Sequence, residues 1–231
     1  MNSKGELLRI RIVNMILITN SKRVMIIRFE IGDEIDKLVV QVIVHEFSRC
    51  MVSFNSFISH SPKSEEELKN TSDFQNIIRY NTYASFVQHL YEYFVGCLKR
   101  DKQNTKEIHS HEIDTLINKE VNKILNIWRT MIDAGTAPSW ANDRSHYEDT
   151  CPEDFGKDFR AIRNSISHAD YRRLHGGTRI TLAEFFKKYH KYAMLLYNNG
   201  REWWSLEHFD DIHLGEITSF NQLIFKEQEP I

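Results

Sequence analysis

The segment Asp73–Arg100, DFQNIIRYNTYASFVQHLYEYFVGCLKR, decides the fold class. Tyr80, Tyr83, Val87, Leu90, Phe94 and Cys97 fall at i, i+3, i+7, i+10, i+14 and i+17, which lays one apolar stripe along an α-helix. Downstream, Ile113, Ile117, Val121, Ile124, Trp128 and Met131 define a second helix from Glu112 to about Ala134. A third begins near Pro152 or Glu153, with Phe155, Phe159, Ile162, Ile166 and Ala169 stepping by 4, 3, 4 and 3. Thr181-Leu182-Ala183-Glu184 matches a capping box and opens a helix carrying Leu182, Phe185, Phe186, Tyr189, Ala193 and Leu196. Asn198-Asn199-Gly200 is expected to close it, with Gly200 as the residue just past the end. Upstream, from Glu34, Ile35, Leu38, Val39, Val42, Phe47 and Val52 are expected to form the buried face of a further helix.

The expectation is an all-α bundle of four to six helices in a single domain of residues 1–231, with a small hairpin or turn near 171–181 around Gly176-Gly177. Residues 59–72 and 135–154 read as loops, the first holding a short helical turn. The first thirty residues are rich in β-branched side chains and fit two strands or one helix; the helical surroundings favour helix. Residues 1–34 and 201–231 have no place in the core pattern.

Composition agrees with helices. A chain of 231 residues with 41% hydrophobic and 27% charged content is that of a folded globular protein, and only 9 Gly and 4 Pro leave little room for many tight turns. A net charge of −2 excludes a uniformly basic nucleic-acid-coating protein. Cys50, Cys97 and Cys151 are widely spaced, odd in number and without a CxxC pair, so they read as reduced thiols. The apolar runs near the start are broken by Arg9, Arg11 and Asn14, which argues against a signal peptide or membrane span, and the reading is a cytoplasmic protein.

The chemistry concentrates in Phe159–Arg173, FRAIRNSISHADYRR. The apolar stripe takes Phe159, Ile162 and Ile166, which leaves Arg163, Asn164, Ser167 and His168 on other faces. Asn164 and His168 are i, i+4 neighbours, while Arg163 lies about 140° around the helix from His168. A twofold axis along this helix would gather two Arg and two His in one cleft. Arg followed after four residues by His arises by chance roughly 0.7 times in such a chain, and Arg-Asn followed by that His about 0.05 times. From Lys157 to Arg179 there are six basic residues (Lys157, Arg160, Arg163, Arg172, Arg173 and Arg179) against Asp158 and Asp170, a local excess suited to a phosphate track. The competing reading is a solvated helix face.

The stretch RNSISHADYRR, with FRAI before it and GGTRITLAEF after it, resembles the HEPN superfamily, the all-α ribonuclease domains of toxin–antitoxin, abortive-infection and CRISPR-associated systems. Arg163, Asn164 and His168 match its Arg, polar residue and His, and YASFVQHLYEYFVGCLKRD looks like its long packing helix. The resemblance spans about residues 35–200. It implies a homodimeric, metal-independent endoribonuclease without cofactor, in a toxin or antiphage role, with a cognate antitoxin or regulatory protein as a further partner. His168 would move the 2′-hydroxyl or leaving-group proton, Arg163 would hold the scissile phosphate and Asn164 would orient the imidazole or a phosphate oxygen. Arg160, Ser167, Tyr171, Arg172 and Arg173 would contact RNA. Tyr171 stands three residues after His168, where the nucleotidyltransferase-paired subgroup has its modified tyrosine two residues after, so that regulation is not carried over. The alternative is a non-catalytic module that dimerises or binds a nucleotide or partner.

Other constellations are weaker. His109-Ser110-His111-Glu112 has metal-ligand residue types but reads as a helix start, and no HExxH follows. A metal-dependent hydrolase using His109 and His111 would be its functional reading. Gln88, His89 and Glu92 could line the same cleft, with a solvated helix face the favoured reading; His175 could touch substrate but reads as a turn residue, and Trp203-Trp204 reads as packing of the tail in preference to a base-stacking pair.

Overall fold

The computed structural model describes residues 27–166, 180–209 and 214–227. Among these residues seven α-helices follow in order: α1 Glu34–His60, α2 Glu65–Lys69, α3 Asp73–Asp101, α4 Ser110–Asp133, α5 Phe155–Ile166, α6 Leu182–Trp204 and α7 Gly215–Glu227. Single 3₁₀ turns occur at Arg144–Tyr147 and Leu206–His208. Among the described residues no strand forms; one isolated bridge joins Arg28 to Asn104. The all-α expectation is met. The hairpin expected near 171–181 lies almost entirely outside the described residues, as does most of the N-terminal thirty.

Helices start where side chains can satisfy their orphan N–H groups. Asp33 caps α1 through the Asp36 amide, and Ser72 with Gln75 and Thr181 with Glu184 form full capping boxes on α3 and α6. At the other end of α4, Gly135 adopts φ 67°, while its N–H donates to Ile132 and that of Thr136 to Met131. This paired closure uses the left-handed conformation that glycine adopts freely.

The most extensive packing joins α1 to α3, an antiparallel hairpin. Arg100 closes one end with two hydrogen bonds to Asp36, at 2.7 and 3.0 Å. Arg79 closes the other, donating to the His60 carbonyl and to the Thr71 hydroxyl. Phe47 and Phe86 are fully buried in this layer, with Phe54 and Tyr197 packed between them. Phe155, Phe159 and Phe185 form the companion cluster beneath α5 and α6. Phe220 and Leu223 on α7 are exposed.

The α3, α4 and α5 stripes are largely as expected, with Tyr83, Val87, Leu90, Phe94, Ile113, Ile117, Val121, Ile124, Phe155, Phe159 and Ile162 buried. Tyr80, Phe186 and three expected core residues of α1 (Leu38, Val42 and Val52) are instead exposed. The α1 core face is Ile43, Val44, Phe47 and Cys50, together with the buried carboxylate Asp36. An apolar excess all around this helix concealed the true face. Helix α6 does not stop at Gly200 but runs to Trp204. Gly200 is buried inside it because a Cβ there would stand 2.5 Å from Phe47 Cε2. The missing side chain serves close packing, not chain termination.

Among the described glycines Gly156 makes the closest approach: a Cβ would meet the Asp114 carbonyl oxygen at 2.3 Å and its Cα at 2.7 Å. Backbone cannot yield as a flexible side-chain tip would. Gly156→Ala is therefore expected to cost about 3 kcal/mol, read from urea denaturation. The Asp36 carboxyl is held below the usual carboxylate range, first by the Arg100 hydrogen bond. Its stabilisation is complete above its ordinary value and lost as pH falls through the lowered folded value. Between about pH 6 and pH 3, Asp36→Asn should start less stable than wild type and lose less stability.

Candidate functional site

Helix α5 is pinned to α4 before it presents any functional group. The Asn118 amide oxygen accepts from the Gly156 N–H at 2.8 Å, and its nitrogen donates to the Glu153 carbonyl at 2.7 Å. Asn122 accepts from the Cys151 N–H at 2.9 Å. A neighbouring helix thus satisfies the start of α5, and the small Gly156 lets the two backbones approach. With Phe155, Phe159 and Ile162 turned to the core, α5 carries Arg160, Arg163 and Asn164 into a cleft of about 570 Å³ bordered by α3 and the start of α4.

Two arginines in this cleft are held differently. Arg160 donates Nε and Nη2 to the two oxygens of Asp114 at 2.9 and 2.8 Å, a bidentate fork. Asp114 is buried, and the bond raises the Arg160 pKa. Arg163 is more open, with 37% of its side chain exposed. Its Nε and Nη2 meet Glu92 Oε1, and Nη1 donates to Asn164 Oδ1 at 3.0 Å. Its guanidinium carbon also lies 6.0 Å from the Tyr91 ring centroid. Tyr91 is fixed edge-to-face on Phe159 at 5.3 Å, and burial pushes its hydroxyl up to about 12. Arg163 is therefore aimed by its neighbours from three sides.

Lys99, Glu107 and His109 complete the polar lining. His109 occupies the N-cap position of α4, yet its side chain makes no capping hydrogen bond. An imidazole stands there in place of the usual Ser, Thr, Asp or Asn, and borders the cleft. The positive end of the α4 dipole opens beside it, which favours an anion.

Arg160, Arg163 and Asn164 line the same cleft. Ser167, His168, Tyr171, Arg172, Arg173, His175 and Arg179 lie outside the described residues. Glu92 is not on a merely solvated face but is the carboxylate partner of Arg163. His89 is buried and bonded to Glu46 at 2.8 Å, away from this lining. Tyr91, Lys99 and His109 were not assigned to the site from sequence. Only the uncapped helix start at His109 offered a hint, because its imidazole breaks a local preference. Among the described residues no group of three or more His, Cys, Asp or Glu side chains is placed to hold a metal ion. Among them, too, no helix is long and apolar enough to cross a membrane.

Comparison with protein-family models, curated proteins and solved structures found no match to this chain.

The two arginines should separate in a stability assay. Arg160→Ala strands the buried Asp114 carboxylate and is expected to cost about 3 kcal/mol. Arg163→Ala removes a partly exposed pair and should cost about 1 kcal/mol or less. Parallel thermal and urea denaturation of the two variants measures the difference.

Proposed function

We propose that the chain is a metal-independent endoribonuclease of the kind its Arg-Asn-x3-His motif resembles, working in the cytoplasm as a homodimer in a toxin or antiphage role, with RNA as substrate and a regulatory partner such as an antitoxin. The observation that carries this reading is the convergence of Arg163 and Asn164 in one cleft with Lys99, Arg160 and the helix start at His109. Such a set suits a phosphodiester: fixed cations and backbone dipoles hold a phosphate whose charge grows as phosphorus becomes five-coordinate.

In the proposed reaction a base removes the proton of the RNA 2′-hydroxyl, and the 2′-oxygen attacks the adjacent phosphorus. The bond to the 5′-oxygen breaks as that oxygen takes a proton, leaving a 2′,3′-cyclic phosphate and a 5′-hydroxyl. The nucleophile belongs to the substrate, so no metal-bound water enters the scheme. His168 is assigned the proton transfer because an imidazole titrates near neutrality, Arg163 the phosphate clamp, and Asn164 the orientation of Arg163 through its amide oxygen. Glu92 holds the guanidinium before substrate arrives, a preorganising role.

The second reading, a non-catalytic module, is favoured by one observation: the hydrogen-bonding forks of Arg160 and Arg163 are both engaged by carboxylates. A binding or dimer surface has no need of an uncommitted cation. Incubation of the purified protein with RNA in EDTA decides between the two. The ribonuclease reading expects cleavage to cyclic-phosphate ends, no cleavage of DNA of the same sequence, and at least a hundredfold loss for His168→Ala and Arg163→Ala with the folded state retained. Intact RNA with the wild-type protein, on both structured and tRNA-like substrates, would leave the binding module as the surviving reading.

A further inference from the structure

A second cavity of about 580 Å³ lies along the far end of α4, against the loop after Gly135 and the last turns of α6. Three of the four tryptophans, Trp128, Trp140 and Trp203, line it. Trp128 and Trp140 meet at a corner, with ring centroids 5.6 Å apart and planes at 68°. Tyr147 stacks on Trp128 at 5.4 Å with planes 11° apart, so the corner is backed by a rigid aromatic pair. Trp140 and Trp203 nonetheless remain 71% and 68% exposed. The Trp203-Trp204 pair therefore divides. Trp204 packs edge-on against Tyr93 at 6.3 Å and stacks on Phe209 at 5.8 Å, while Trp203 faces this cavity.

The charge at the rim chooses among ligands. Glu120, Lys123 and Glu202 border the cavity. Lys123 lies 3.4 Å from both Glu120 carboxylate oxygens, so these two charges offset one another. Glu202 has no ion-pair partner among the described residues, and the rim keeps a net negative charge. That charge repels the phosphates of an RNA strand, so base stacking, the obvious use of exposed indoles, is not favoured here. Angled indole faces beside an uncompensated carboxylate instead suit an alkylated ammonium. The ring faces carry negative quadrupole charge, tryptophan is the strongest side chain in this role, and the methyl groups fill apolar space that a hydrated ammonium would not enter. The volume is in the range of small-molecule sites.

We propose that this cavity binds a free small organic cation of the quaternary-ammonium class, held by Trp140, Trp203 and Trp128 with Glu202 as counter-charge. The site is separate from the Arg163 cleft and does not depend on the ribonuclease reading.

The test is an equilibrium titration of the full chain with choline, followed on the choline methyl resonance. The matched control is 3,3-dimethylbutan-1-ol, in which carbon replaces the charged nitrogen. The expected result is saturable choline binding, about tenfold weaker binding of the neutral isostere, a threefold or greater weakening in Glu202→Gln, and loss of binding in Trp140→Ala and Trp203→Ala. Both tryptophans are exposed, so these variants should keep the wild-type circular dichroism spectrum and melting temperature. No saturable choline binding would overturn the proposal. So would equal binding of the neutral isostere, which would mark a plain apolar pocket, or undiminished binding in the two tryptophan variants.

Discussion

The contact between Gly156 and the backbone of Asp114 sets the geometry on which the candidate site depends. Because no Cβ intervenes, α5 lies against α4 closely enough for Asn118 to satisfy the Gly156 amide and for Arg160 to reach the buried Asp114 carboxylate. These interactions reinforce one another. The close approach desolvates Asp114, the desolvated carboxylate requires a cation, and the bidentate guanidinium fixes the rotation of α5 about its axis. Arg163 sits three residues beyond Arg160, so the same rotation aims it at Glu92 and Tyr91. A structural arginine thereby positions the functional candidate next to it.

The same logic recurs along α3. Arg100 with Asp36, His89 with Glu46 and Glu92 with Arg163 tie that helix to α1 and α5. Among the described residues no buried side-chain nitrogen or oxygen lacks a hydrogen-bond partner. Buried polar pairs are weak sources of net stability, but they penalise any shift in register, because a slipped helix leaves charges uncompensated. Aromatic packing through Phe47, Phe54, Phe86 and Tyr197 is less directional. The bundle thus obtains its cohesion from aromatic burial and its register from charge.

That division explains what was legible in the sequence. The stripes of α3, α4 and α5 were readable because their apolar positions contrast with polar faces, and the Arg163-Asn164 pair stood out because the core stripe accounted for its neighbours. The α1 face was not. Leu38, Val42 and Val52 compete with Ile43, Phe47 and Cys50, and the arbiter is Asp36 meeting Arg100, a long-range ion pair invisible to local periodicity. Gly200 misled for a related reason. A glycine near a helix end serves termination or close packing, and only the position of Phe47 distinguishes them. Glu92 and His109 joined the site through tertiary approach: the local pattern at each position favoured a solvated face and a helix start, and only the fold brings them to Arg163.

Helix α4 begins at the arginine cleft and ends at the tryptophan cavity. From His109 to Trp128 the 1.5 Å rise per residue gives a separation of about 28 Å along one rigid rod. Proximity in the chain is not coupling: a ligand at one end alters affinity at the other only if some element has two arrangements that the ligand distinguishes. The helix itself offers none, being locked at its start by Asn118 and Asp114 and closed at its end by Gly135. The shared flank is α6, which packs on α4 and α5 and supplies both Trp203 and the Tyr189 hydroxyl that donates to Asp158 of α5 at 2.8 Å. Sliding of α6 is one route by which the two cavities could communicate. The Phe47 contact at Gly200 opposes such sliding, since a close-packed notch yields only in discrete steps. The physical default is two independent sites built on one scaffold.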